Sequence, residues 1–232
     1  MTETFKVAIT FVSPSSEALA QSIIDSINKS ADTTRAIKIQ ADMRDTDSPL
    51  RIIDATICAF GPNIDILVNN AGVESLVSLS ELGLQDFNEC IDVNFRAVVF
   101  MTKSVIPYLR SPGRIINISS SSAHAGGLSS GIYAASKAAV EALARFWATS
   151  LGPQGHSVNT VVPGLTQTDM YERIIAEESS AAYHRTVASM TPMGGRVGTP
   201  EDIARIVSLL VEPRSQWVTG QTISATGGLI LL

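Results

Sequence analysis

Gly131-Ile132-Tyr133-Ala134-Ala135-Ser136-Lys137-Ala138-Ala139 sets a phenol and an ammonium four residues apart in a run of good helix formers. On a helix that spacing puts both side chains on one face. A lysine ammonium about 4 Å from a tyrosine favours the phenolate by roughly 4 kcal/mol at an effective dielectric of ~20, or about three pKa units. The phenol would then titrate close to neutrality, where it can give or take a proton. A surface Tyr and Lys on an ordinary helix carry the same spacing, so the surrounding chain decides between the two readings.

Upstream, Gly113-Arg114-Ile115-Ile116-Asn117-Ile118-Ser119-Ser120-Ser121 reads as a buried strand running into a serine-rich turn, with Ser120 thirteen residues before Tyr133. Asn69-Asn70-Ala71-Gly72 follows the strand Ile64 to Val68, Asp92-Val93-Asn94 lies inside a long helical pattern, and Pro163-Gly164-Leu165-Thr166-Gln167-Thr168 comes downstream. In this order and spacing, the five motifs together resemble the short-chain dehydrogenase/reductase family from about residue 37 to the C-terminus. The resemblance implies a single domain over residues 1–232. Its fold would be an α/β Rossmann-like doubly wound parallel sheet of about six strands, shortened at the N-terminus, with a substrate lid at about 166–195. It makes Tyr133 the general acid/base and Ser120 the hydrogen-bond donor to the substrate oxygen. Lys137 would tune Tyr133 and hold the nicotinamide ribose, while Asn94 would hold a water that links Lys137 to solvent. Among cofactor contacts it places Asp42 at the adenine, Asn69, Ala71 and Gly72 on the ribose side and Thr168 at the nicotinamide amide, with Pro163 and Gly164 also in the cofactor-binding set. Asn-Asn-Ala-Gly also ends a buried strand tightly, and Pro-Gly makes a good turn without any ligand.

Composition fits such a domain. The 232 residues are 45% hydrophobic and 17% charged, which suits a compact α/β protein rather than a disordered or fibrous one. A net charge of −5 gives no electrostatic footing for nucleic acid or an anionic membrane. Met1 to Lys6 shows no basic segment ahead of a long apolar core, and no run of about 18 apolar residues occurs, so a cytoplasmic protein is expected. Cys58 and Cys90 sit in helical patterns and read as reduced core residues. His124, His156 and His184 show no ligand spacing with them, and no metal is expected.

Taken in order, residues 6–12 read as a strand, Ser13 to Glu17 as a serine-capped helix start, and residues 35–42 as a second strand. A helix from about Ser48 leads into the strand of residues 64–68. A helical region runs from 80 to about 109. The strand 114–118, the helix 132–151, the strand 157–162, a last helix entered at Pro200 and a final strand from Thr219 to Ser224 follow. This alternation argues for a parallel sheet covered on both faces.

The family opens with a strand, a glycine-rich turn and a helix, because glycines let backbone N–H groups approach the dinucleotide pyrophosphate. In this chain the first glycine is Gly61. Residues 6–42 can correspond to the family's second and third strands, which the motif spacing favours but which leaves the central strand position vacant. Alternatively the strand 6–12 slides into that central place with 35–41 beside it. The second arrangement is expected on energetic grounds, since unpaired buried backbone groups cost about 1–3 kcal/mol each. Under either, the pyrophosphate meets only the turn Ser13 to Ser16, so NADP(H) binding should be weakened or absent. No carboxylate near Ser13 is placed for a ribose 2′-hydroxyl, which favours NADP(H) over NAD. Thr226 stands where the family often carries an aspartate before Gly227-Gly228.

Three functions fit. The first is NADP(H)-dependent reduction or oxidation of a carbonyl or alcohol on a mostly apolar small molecule. The second is a cofactor-independent isomerase, dehydratase or cyclase using the same Tyr–Ser–Lys set. The third is a catalytically silent partner that assembles with itself or an intact relative. The family resemblance further implies a homodimer or homotetramer built on the helices near 80–109 and 132–151. A truncated gene product would also explain the short start.

Overall fold

The computed structural model describes residues 5–29, 33–126, 131–176 and 178–232. The absence of a basic leader was read from residues 1–6, of which 1–4 lie outside this set. The chain alternates strand and helix: β1 (Val7–Phe11), α1 (Pro14–Asn28), β2 (Ala36–Gln40), α2 (Ser48–Phe60) and β3 (Ile64–Asn69). α3 (Leu84–Ile91) then passes through a π-helical turn, Asp92–Arg96, into α4 (Ala97–Val105). β4 (Leu109–Ile118), α5 (Gly131–Leu151) and β5 (Ser157–Pro163) follow, then α6 (Asp169–Ile174), α7 (Glu178–Ser189), α8 (Pro200–Val211) and β6 (Thr222–Ala225). All strand pairs are parallel. The α/β Rossmann-like architecture and its six strands agree with the sequence reading.

The strands form two sheets. β3, β4, β5 and β6 make one in that order, and among the described residues β1 and β2 pair only with each other. Residues 7–11 therefore do not slide in beside β3, contrary to the energetic expectation. What fixes them instead is local. Asn28 at the end of α1 donates to the Ala36 carbonyl at 3.0 Å and accepts from the Arg35 and Ala36 amides at 2.8 and 2.9 Å, tying α1 to the start of β2. At the other end of β2, Ala41 and Met43 bury with Ile52 and Ile53 of α2 against Val93, Ala97, Met101 and Val105. The pair is thus anchored through its loop and α2 to the helix that follows β3, and no ladder joins β1 to β3.

Burial follows this division. Ile115 of β4 and Val158, Val161 and Val162 of β5 are 0% exposed, sealed by α5 on one face and α8 on the other. Asn69-Asn70-Ala71-Gly72 reads in sequence as ending a buried strand, yet in β3 Ile64, Ile66 and Leu67 are half-buried and Val68 is 39% exposed, because β3 is an edge. Two smaller corrections concern single elements. Cys90 is buried as expected, whereas Cys58 is exposed on α2, and both are free thiols. The last strand lies at 222–225 rather than 219–224, since the chain bends at Gly220, whose φ is +70°, before it enters the ladder. Among the described residues no helix is long and apolar enough to cross a membrane.

Candidate active site

The C-terminal ends of β3 and β4 and the first turns of α5 converge. Asn94, fully buried, sits at the centre of the π-helical turn, whose extra residue aims its amide at the segment after β3. Its Oδ1 accepts from the Val73 amide at 2.9 Å, and its Nδ2 donates to the Val73 carbonyl at 2.8 Å and to Ser136 Oγ at 3.2 Å. Gly72 precedes that clamp. A Cβ there would lie 3.2 Å from both Asn94 Oδ1 and Lys137 Nζ, so the missing side chain is what lets the backbone reach the ammonium.

Lys137 is 4% exposed and donates from Nζ to the Ile118 carbonyl at 2.9 Å. Burial brings its pKa down to about 8. Nζ lies 5.9 Å from the centre of the Tyr133 ring. The expectation of a phenol lowered toward neutrality is not met: the Tyr133 pKa is raised, chiefly by burial. Ser120 hydrogen bonding opposes that rise, and Glu74 and, once ionised, the Cys90 thiol add to it. The ammonium donates to the Ile118 carbonyl, and burial of the phenol outweighs any field the ammonium puts on it. Ser120 caps the short 3₁₀ turn Ser121–His124, accepting from the Ser122 amide at 3.2 Å, which leaves its own proton free to be donated.

The remaining sequence-derived positions are spread more widely. Asn69 is buried and donates to Asn117 Oδ1 at 2.8 Å and Thr102 Oγ1 at 3.2 Å, so its amide braces the sheet, while Ala71 is exposed beyond it. Pro163 and Gly164 end β5, and a Cβ on Gly164 would come within 3.1 Å of the Thr226 backbone. Thr168 caps α6, accepting from the Tyr171 amide at 3.3 Å. Asp42 is engaged by Arg44, whose Nη2 lies 2.6 Å from Oδ2 and whose hydrogen bonds hold the carboxyl below its ordinary pKa. It stands at the end of β2, on the sheet that shares no ladder with β3.

Three residues were missed in the sequence. Glu74 bonds Arg173 of α6 at 3.3 Å, linking the segment after Gly72 to α6. Ser136 steadies Asn94. Glu141, one turn past Lys137, meets Ser119 and His124. The i, i+4, i+8 series Tyr133, Lys137, Glu141 was the available signal.

A nicotinamide dinucleotide can be tested against these residues at its two ends. At the ribose end, Lys137 Nζ and the backbone of Gly72 form a cradle that a Cβ would fill. At the phosphate end, the turn before α1 turns inward: the Ser13 hydroxyl accepts from the Ser16 amide at 3.2 Å and contacts Ser15 and Ser16 Oγ at 2.8 and 3.0 Å. The cradle fits and the turn does not.

The short-chain dehydrogenase/reductase FrzI of a Cladobotryum species is 40% identical to this chain over 215 residues, 91% of this chain and 81% of that protein. The chain belongs to the short-chain dehydrogenase/reductase family. Residues 2–230 match the family model described as enoyl-(acyl carrier protein) reductase. The hydroxynaphthalene reductase-like protein Arp2 of Metarhizium brunneum is 34% identical over 232 residues, 93% of this chain and 83% of its own length. Among solved structures, a blue fluorescent protein from a metagenomic library in complex with NADPH superposes with a TM-score of 0.88 at 33% identity, covering 97% of this chain and 88% of that one. A Burkholderia cenocepacia short-chain dehydrogenase in complex with NADP gives 0.85 at 34% identity, covering 97% of this chain and 87% of that one. The chain is thus a short-chain dehydrogenase/reductase-like enzyme.

Proposed function

We propose that this family member is an NADP(H)-dependent oxidoreductase interconverting a carbonyl and an alcohol on a mostly apolar small molecule, with dinucleotide binding weakened at the phosphate end. The observation that carries the reading is the convergence of Asn94, Ser120, Tyr133 and Lys137 around Gly72 and the Ile118 carbonyl. NADPH, when bound, supplies the hydride to the carbonyl carbon. Ser120 donates its hydroxyl proton as a hydrogen bond to the substrate oxygen, and Tyr133 transfers its phenolic proton to that oxygen as charge develops. A phenol whose pKa is raised in the free protein is protonated throughout the neutral range, which suits an acid. Lys137, charged below about pH 8, then stands ready to stabilise the phenolate that proton transfer leaves. Reduction should accordingly decline as pH rises through about 8.

The weakened grip is our reading of a turn before α1 whose Ser13 to Ser16 hydroxyls bond one another. That same observation favours a second reading, cofactor-independent acid/base chemistry at an intact Tyr–Ser–Lys–Asn set. Calorimetric titration of the protein with NADPH separates them. Millimolar binding together with turnover of a ketone supports the first reading. Absence of binding at saturating NADPH, with enolisation or dehydration still catalysed, overturns it. Assembly as a homodimer or homotetramer is supported by the exposed apolar side chains of Leu84, Phe87, Phe100 and Phe146 on α3, α4 and α5. Sedimentation showing monomer alone would overturn that.

A further inference from the structure

Glu141 is a buried carboxylate that the mechanism above does not use. It lies on α5 one helical turn beyond Lys137 and two beyond Tyr133, and it is 4% exposed. Ser119, 3% exposed, donates its hydroxyl to Glu141 Oε1 in a short hydrogen bond. His124 Nε2 stands 3.0 Å from Oε1 and 2.9 Å from Oε2 of the same carboxylate, so the ring donates from that nitrogen. Ser119 immediately precedes Ser120, and His124 ends the turn that Ser120 caps. One carboxylate on the helix therefore holds both ends of the turn that carries the Ser120 hydroxyl.

This is not a nucleophile triad, because the Ser119 hydroxyl bonds the carboxylate rather than the imidazole and is sealed from solvent. Nor does stability account for it: burying a carboxylate costs several kcal/mol, and apolar side chains of like volume usually serve a core as well or better. What the group supplies is geometry. Tyr133 and Lys137 come from α5 and Ser120 from the end of β4; upstream of the turn these elements are joined by the Lys137 bond to the Ile118 carbonyl and by apolar packing of Ile115 on Ala144 and Ala148, neither of which fixes the turn itself. We propose that Glu141 is a positioning residue: through Ser119 and His124 it locks the 119–124 turn to α5 and sets the Ser120 hydroxyl relative to the Tyr133 phenol. The inference rests on Ser120 and Tyr133 being the reacting pair.

The test uses the whole purified chain and Glu141→Ala and Glu141→Gln variants, read by native-state hydrogen exchange and by spectrophotometric titration of tyrosinate, with Tyr133→Phe identifying the Tyr133 step. Glu141→Ala should speed exchange of the Ser122 and Ala123 amides by about tenfold while β5 amides change far less. Tyr133 should ionise at higher pH as its Ser120 hydrogen bond is lost. Glu141→Gln, which keeps an acceptor for Ser119, should fall between, and it carries the same test if the alanine variant does not fold. Unchanged turn exchange, an equal rise in β5, or an unmoved Tyr133 titration overturns the proposal. Where ketone turnover with NADPH is measurable, kcat should fall with little change in KM for NADPH. If the wild type turns over no ketone, the oxidoreductase reading falls while exchange and titration still decide the role of Glu141.

Discussion

The four-stranded sheet and the two-stranded pair are built from the same strand–helix unit, yet they differ in what holds each strand. β4 and β5 have a strand on either side and a helix on either face, so Ile115, Val158, Val161 and Val162 are closed from solvent. β1 has one neighbour, and of its five residues only Phe11 is buried. Asn94, Ser120, Tyr133 and Lys137 all hang from the first region or from the helices packed on it. Asp42 and the Ser13 turn, where a dinucleotide's adenine and phosphates would be met, hang from the second. On the proposed reading, the proton-transfer residues therefore stand on the better-held sheet and the cofactor's adenine and phosphate contacts on the other.

The largest effect should come from the better-held half. Tyr133→Phe removes one hydroxyl and should lower turnover by about 10²–10⁴-fold while leaving the melting temperature close to wild type. Full activity in this variant would remove both catalytic readings at once. Next in size is a pair of core truncations. Ile115→Ala should cost about 2–5 kcal/mol by chemical denaturation. Ile9→Ala, at a half-buried position of β1, should cost about 1 kcal/mol. Equal losses would mean that the two sheets share one cooperative core, and the contrast drawn above would fail.

Much of the better-held half was legible in the sequence, because its cues are local. A Tyr and a Lys four apart on a helix, a serine-ended apolar strand and Asn-Asn-Ala-Gly after another each specify their own geometry. The arrangement of β1 was not legible, since neighbours in a sheet are chosen by competition. Counting unpaired backbone groups favoured insertion beside β3. The Asn28 clamp and the burial of Ala41, Met43, Ile52 and Ile53 against α4 decided otherwise. The direction of the Tyr133 shift failed for a related reason. Spacing shows which side chains share a face, but not that Lys137 Nζ turns to the Ile118 carbonyl or that desolvation outweighs its field. Glu141 could be located by spacing, but its partners Ser119 and His124 come from another segment.

The smallest effect concerns the base of the well-held sheet. His156, 8% exposed, accepts a hydrogen bond at Nδ1 from the Gly113 amide at 3.0 Å. A Cβ on Gly113 would come within 2.9 Å of that nitrogen, so glycine is what allows the contact. Accepting at Nδ1 requires the neutral ring, and burial lowers the His156 pKa below its ordinary 6.5. The unfolded chain therefore takes up this proton more readily than the folded one. Stability is full above about pH 6.5, is lost as pH falls through 6.5, and levels off below the folded value. His156→Gln offers an amide oxygen to Gly113 without titrating. Subtracting its melting curve from wild type between pH 8 and pH 5 removes every other group, and the difference should shrink toward the acid end. A difference independent of pH would show that the imidazole is not held neutral, and that this end of β4 is open to water in the way β1 is.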